Sequence, residues 1–137
     1  MSEIFKKLNL KDLTEILVLN APQSFETELA ALEPVLVLRQ LEDAQAIDFA
    51  LAFVTRQAQV DELAALLLPR ARGDALVWFA YPKGSSKKYT CDFNRDTGWK
   101  QVEAAGFLPV RQVAIDEDWS ALRFRRKEFI KNLTRKW

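Results

Sequence analysis

The chain has no histidine, a single cysteine and only four glycines. Without histidine no Ser-His-Asp or Cys-His pair can form, and the common zinc and iron ligand sets are missing. One thiol, Cys91, allows neither an internal disulfide nor a thiolate metal site. Long apolar runs are missing too: Ala64–Leu68 and Ala75–Tyr81 fall far short of the roughly 20 residues a membrane span requires. Met1 to Lys7 are partly basic but no apolar signal region follows them. The expectation is a cytoplasmic protein with no membrane partner.

What is present is a single globular domain, residues 1–137, with 49% hydrophobic and 28% charged side chains. That length is enough to bury a normal core. Any catalysis would fall to carboxylates, lysines, tyrosines or Cys91. Net charge is +1 yet unevenly spread: residues 1–82 sum to −5 and residues 83–137 to +6. The asymmetry suits a solvated charged surface or an anionic partner for the C-terminal half.

Glu15 to Ser24 organise the rest. Ile16 to Leu19 are unbroken aliphatics, as in a strand buried on both faces, and Asn20 and Pro22 stop the run. Before it, residues 1–13 read as a lead-in segment, helical in part, anchored by Ile4, Phe5, Leu8 and Leu10. After it, Ser24 is placed to cap a helix Phe25–Leu32. Val35–Arg39 and Ile47–Val54 read as further strands, the former an exposed edge able to support a dimer. About eight residues separate them, too few for a helical crossover. Extended, they reach about 26 Å, enough to carry the chain past the first strand to its other side.

Thr55 reads as the cap of a helix to Arg70 or Ala71, with Gly73 as its left-handed stop. Ala75–Tyr81 is another buried strand, and Lys83–Arg95 a long polar loop. Asp96 or Thr97 then caps a helix through Ala105, which Gly106 closes. Phe107–Ile115 and Ser120–Arg126 form an antiparallel hairpin around Asp116–Trp119, and residues 127–137 are a basic tail, partly helical. The predicted fold is a Rossmann-like three-layer α/β sandwich, with about five parallel strands and a C-terminal antiparallel hairpin.

This order is similar to the second half of the class I methyltransferase fold. The stretches Ile16-Leu-Val-Leu-Asn-Ala-Pro22, Ala52-Phe-Val-Thr55, Trp78-Phe-Ala-Tyr-Pro-Lys83 and Ile115-Asp-Glu-Asp-Trp-Ser-Ala-Leu-Arg123 carry a closer resemblance. On them the chain resembles a bacterial family of small methyltransferase-like proteins of unknown function. The resemblance implies a truncated methyltransferase-like scaffold with no established activity.

In open parallel sheets ligands bind beyond the carboxyl ends of the strands. The candidate ligand-binding residues there are Asn20, Ser24, Thr55, Lys83, Lys87, Lys88, Tyr89, Asp116 and Trp119, with Asp92, Asn94, Arg95, Glu117 and Asp118 beside them. Lys83-Gly-Ser-Ser-Lys-Lys88 supplies positive charge for phosphate or carboxylate without P-loop spacing; its alternative reading is a solvated loop. Asp116, Glu117 and Asp118 could crowd around a hard cation or form a hairpin tip, and no metal is expected. Trp119 packs on the sheet edge or stacks on a base. Cys91 lies in the basic loop, where a thiolate is favoured, but with no histidine nearby it reads as an ordinary cysteine rather than a nucleophile.

The turn Asn20-Ala-Pro-Gln-Ser24 has no glycine, and Arg39-Gln40 stand where an acid would hold a cofactor's ribose. No cofactor is therefore expected. The expectation is a non-catalytic module binding an anionic small molecule or a protein partner. The alternative is an S-adenosylmethionine-dependent methyltransferase with an atypical loop. A third reading is nucleic-acid binding through Arg123, Arg125, Arg126, Lys127, Lys131, Arg135 and Lys136, interleaved with Phe129 and Trp137.

Overall fold

A computed structural model describes residues 3–32, 34–93 and 97–130. Its elements are α1 (Glu3–Lys7), β1 (Glu15–Leu19), α2 (Glu26–Ala30), β2 (Leu36–Leu38), β3 (Ile47–Phe53), α3 (Gln57–Leu66), β4 (Ala71–Pro82), α4 (Lys100–Ala104), β5 (Phe107–Ala114) and β6 (Trp119–Arg126). The strands form one six-stranded sheet in the order β2-β1-β3-β4-β6-β5. β1 pairs in parallel with both β2 and β3, and β3 with β4. β6 runs antiparallel to β4 and β5. Five strands thus share one direction. The antiparallel strand does not close the sheet: it lies between β4 and β5, and β5 is the edge.

The aliphatic runs are explained by burial on two sides. Along β1, Ile16 and Val18 join one apolar layer and Leu17 and Leu19 the other. Ile4, Phe5, Leu8, Phe25, Leu29, Phe49, Phe53 and Trp78 pack into the layer beneath α1 and α2. Val60, Leu63, Leu67, Phe79, Trp99, Val102 and Phe124 fill the layer beneath α3 and α4. Each buried side chain of this size contributes about 1.5–3 kcal/mol. The exposed ion pairs Arg39–Glu26 and Arg72–Asp48 are screened by solvent and contribute little. Stability resides in the two layers.

The β2–β3 connection does pass β1 without a helix. A single 3-10 turn, Leu41–Asp43, interrupts it, and Arg70 Nη1 donates to the carbonyls of Leu41 and Ala44 at 2.5 and 3.1 Å. β2 is an edge strand, as its sequence suggests, with Leu36 exposed. The other edge carries Pro109 and a register shift between Pro109 and Arg111, features that obstruct edge-to-edge pairing.

Several local expectations are corrected. Ser24 caps nothing; it lies in a 3-10 turn, Gln23–Phe25, that leads into a five-residue α2. α3 stops at Leu66 and a 3-10 turn, Leu68–Arg70, follows because Pro69 cannot extend the helix. Gly73 has φ +55° but sits within β4, where the register with β3 shifts. It serves a bulge rather than a helix stop. Trp99, not Thr97, holds the N-cap position of α4, and Asp96 lies outside the described residues. Gly106, at φ +92°, closes α4 as expected. A 3-10 turn, Lys127–Phe129, begins the basic tail; Lys131, Arg135, Lys136 and Trp137 lie outside the described residues. No described helix is long and apolar enough to cross a membrane.

Two outcomes follow from this packing. Trp78 is fully buried and its Nε1 donates to the Leu8 carbonyl at 3.0 Å, so Trp78→Phe leaves that acceptor unpaired and is expected to cost about 1–3 kcal/mol in urea unfolding. The Asp48 and Asp74 carboxyls are held below their ordinary 3.8 by hydrogen bonds from Arg72 and Arg125, against the opposing push of burial. A depressed folded pKa gives stability that is present above the unfolded value and lost as pH falls through the folded one. Urea midpoints are therefore expected to hold at neutral pH and fall below about pH 4, and Asp48→Asn should shrink that fall.

Candidate functional site

Because β1, β3 and β4 are parallel, their carboxyl ends share one edge of the sheet, and the β5–β6 turn joins them there. The segments after β1, β3 and β4 and that hairpin turn therefore converge. Side-chain and backbone bonds tie them to one another.

At the end of β1, Asn20 has φ +59°. Asparagine is one of the few residues that enters this left-handed region readily. It supplies the backbone bend that a glycine would otherwise provide. Its Nδ2 reaches the Phe53 carbonyl at 3.4 Å, bridging β1 to β3 at the point where strand order reverses. Ser24 is exposed.

The start of α3 is capped from afar. Gln59 Oε1 accepts from the N–H groups of Thr55 and Arg56 at 2.8 and 3.1 Å, and Asp92 Oδ1 accepts from Gln57 N at 2.6 Å. Thr55 is thus not the cap. Its carbonyl accepts from Asp92 N at 3.2 Å. The Asp92 carboxylate fills the anion-favouring end of α3.

The lysine loop is built rather than merely solvated. Lys83 N donates to the Asp118 carbonyl at 2.8 Å, and Ser86 Oγ donates to Asp118 Oδ1 at 2.8 Å. Ser86 Oγ also accepts from Lys88 N and Tyr89 N at 3.3 and 3.1 Å. Tyr89 packs on Trp119 with ring centroids 4.9 Å apart, and Trp119 meets Phe53 edge-on at 5.1 Å. Further along, Gly98 has φ +91° and its absent Cβ would come within 2.6 Å of Gln57 Oε1. Its carbonyl accepts from Gln57 Nε2 at 2.7 Å. Only glycine fits there.

These bonds leave a cleft of about 540 Å³ between the loop and the ends of β4 and β6, lined by Tyr81, Lys83, Tyr89, Cys91, Gln112 and Ser120 among others. Tyr81 Oη accepts from Gln112 Nε2 at 3.1 Å. Lys83 is the one charged side chain among the described lining residues. A neighbouring cleft of about 490 Å³ brings Thr55, Arg56, Lys88 and Tyr89 around Asp92.

Of the expected site residues, Lys83 and Tyr89 meet in the first cleft, and Thr55, Lys88 and Tyr89 in the second. Lys87, Ser24 and Asp116 are exposed outside both. Trp119 is buried in the aromatic layer, so it is not a stacking platform. Asp116 Oδ1 accepts from Asp118 N and Trp119 N at 2.8 and 2.9 Å, so the Asp116 carboxylate shapes the hairpin turn. Among the described residues no group of three acidic or sulfur ligands is placed to hold a metal ion. Burial pushes the Cys91 thiol up, with the Asp92 charge adding to it and a Phe93 backbone hydrogen bond opposing. Burial thus outweighs the basic surroundings of the loop, and the thiolate is disfavoured. Asn94 and Arg95 lie outside the described residues. Sequence reading missed Tyr81, Gln112 and Ser120, whose positions inside strands carry no motif.

No family model and no curated protein matches the chain. Solved structures do. A SAM-dependent methyltransferase from Aquifex aeolicus shares 13% identity over 90% of this chain and 88% of its own, with a TM-score of 0.64. The N-methyltransferase NodS from Bradyrhizobium japonicum WM9, in complex with S-adenosyl-L-homocysteine, shares 13% over 89% and 83%, with a TM-score of 0.57. A putative type 11 methyltransferase from Sulfolobus solfataricus shares 10% over 95% and 80%, with a TM-score of 0.56. At these identities the likeness establishes the fold: a Rossmann-like sheet of the class I methyltransferase type.

The crevice over β1 and β3 meets the needs of an adenosyl group only in part. The turn fits, since Asn20 takes the glycine-like conformation. The end of β2 does not. Arg39 stands there, fork-bonded to Glu26 of α2, where ribose hydroxyls seek a carboxylate acceptor. Hydrogen bonding from Arg39 holds the Glu26 carboxyl below its ordinary value, with burial opposing and the guanidinium charge adding.

The left-handed turn gives a direct test. Asn20→Gly is expected to be nearly neutral in urea unfolding, whereas Asn20→Ala, lacking both the bridge and the tolerance for positive φ, should cost about 1–2 kcal/mol.

Proposed function

We propose that this protein binds a small anionic molecule in the cleft between the lysine loop and the ends of β4 and β6. The observation that supports the reading is the lining itself. Lys83 is half-buried, no carboxylate faces it among the described lining residues, and polar groups of Tyr81, Gln112 and Ser120 stand around an apolar wall of Tyr89 and Phe93. A volume near 540 Å³ lies within the usual range for small-ligand sites, about 300–1,000 Å³. Cys91 is unsuited to attack, and the chain offers no histidine base, so binding rather than group transfer is the role assigned. Membership of a small bacterial family of methyltransferase-like proteins is part of the same proposal.

A second reading is an S-adenosylmethionine-dependent methyltransferase with an atypical cofactor loop. The structural likenesses favour this one over the first, and the bend at Asn20 supports it locally. The Arg39–Glu26 pair at the ribose position opposes it.

The two readings separate in one thermal-shift panel of the purified protein. Phosphate, pyrophosphate, dicarboxylates and nucleotides form one arm, and S-adenosylmethionine with S-adenosylhomocysteine the other. Ligand at 100 times its dissociation constant adds about 2.7 kcal/mol of apparent stability. Our reading expects a saturable shift with a member of the first arm that Lys83→Ala weakens about tenfold, the loss of one charge-assisted hydrogen bond. A shift confined to the adenosyl compounds and indifferent to Lys83→Ala would replace it with the second reading.

A further inference from the structure

The opposite face of the sheet carries a second concentration of positive charge, at the β5–β6 hairpin. Arg111 and Arg123 are direct cross-strand partners, so their side chains share a face. That face is also the side of Trp78, which pairs with Arg123 across β4. Arg125 follows two residues along β6, about 6.8 Å further at the ~3.4 Å rise of an antiparallel strand. Lys83's cleft lies on the other side, with Tyr81 and Gln112. α1 and α2 cover β1, β3 and Trp78, but Arg111 is exposed and Arg125 partly so.

The balance of this cluster is unusual. Asp74 is the carboxylate at hand, and Arg125 occupies both of its oxygens through Nε and Nη2 at 2.8 and 2.6 Å. Arg123 Nε is buried without a hydrogen-bond partner among the described residues. Burial has stripped water from one side of that guanidinium, and no protein acceptor has replaced it. Burial and the neighbouring Arg125 and Arg111 all disfavour its charge, and Asp74 only partly offsets them. Stability alone gives no reason to set Arg111 directly opposite Arg123.

We propose that the partly exposed face formed by Arg111, Arg123 and Arg125 binds the phosphate backbone of a nucleic-acid strand. Guanidinium forks match phosphate oxygens bidentately, which ammonium groups do not. Arginines repeated along a strand suit a repeating anion better than a single one. The sheet's aromatic rings on this face, Phe49, Phe53, Trp78 and Trp119, are all buried, so contact is with the backbone and base identity is not read. An acidic polypeptide is the competing occupant.

The test uses the full chain and labelled 20-nucleotide U and A homopolymers in fluorescence anisotropy, titrated from low to moderate salt. The two homopolymers should bind within about twofold of each other, with affinity falling linearly in log salt. Arg111→Gln and Arg123→Gln should each weaken binding several-fold and reduce the slope by about 0.7, the single-strand value per phosphate. Lys83→Ala should leave both unchanged, which separates this surface from the small-anion cleft. Arg111→Gln should also keep or raise Tm, because it removes a repulsion; a purely structural arginine would lower it. The proposal is overturned by no binding at low salt, by binding that survives both arginine variants, or by poly-glutamate competing as well as RNA.

Discussion

Everything in this molecule depends on β3 lying on the far side of β1 from β2. That placement makes β1, β3 and β4 a parallel core with both faces dry, and Asp48 is the single β3 side chain that is not buried. It also creates the reversal of strand order at which parallel sheets form ligand crevices. The crossing is made by a short connection held by Arg70 on two carbonyls instead of a packed helix. A chain of aromatic contacts, Phe5 to Phe25 to Phe53 to Trp119 to Tyr89, then runs from α1 across that core to the lysine loop. The loop's position is thereby coupled to the packing of the lead-in segment.

The fold was legible where burial dictates composition. Ile16 to Leu19 and Ala75 to Tyr81 announce two-sided strands, and the shortness of the link after Arg39 announces the passage over β1. The local ends were less legible. Thr55 has the chemistry of a cap, yet the capping carboxylate is Asp92, 35 residues away in sequence from the Gln57 N–H it accepts. Gly73 has the conformation of a helix stop but serves a bulge, since backbone conformation alone does not say which element uses it. Trp119 sat in a polar turn by sequence, and only the convergence of β3, β6 and the loop explains its burial.

The edge of the sheet was readable as a place and not as a set of contacts. Lys83 and Tyr89 reach one cleft, Thr55 and Lys88 another, while Ser24, Lys87 and Asp116 look outward. Asp116, Asp118 and Asp92 are structural acceptors, and Lys83 meets no carboxylate among the described residues of its cleft. Such differences arise because a hydrogen bond assigns a polar residue to structure or to solvent, and sequence spacing does not record hydrogen bonds between distant segments. The class I methyltransferase scaffold is common to the chain and its structural neighbours; the groups presented at its edge are this chain's own.

The proposed ligand site is the cleft under the lysine loop and not the β1–β3 crevice. Backbone amide shift mapping by NMR, with S-adenosylhomocysteine and with pyrophosphate in separate titrations, addresses it most directly. Pyrophosphate is expected to move the amides of Lys83 to Tyr89 and of Ser120 saturably, and S-adenosylhomocysteine to leave Asn20 to Ser24 and Arg39 in place. Saturable movement of Asn20 to Ser24 and Arg39 with S-adenosylhomocysteine, and silence at the lysine loop with pyrophosphate, would contradict it.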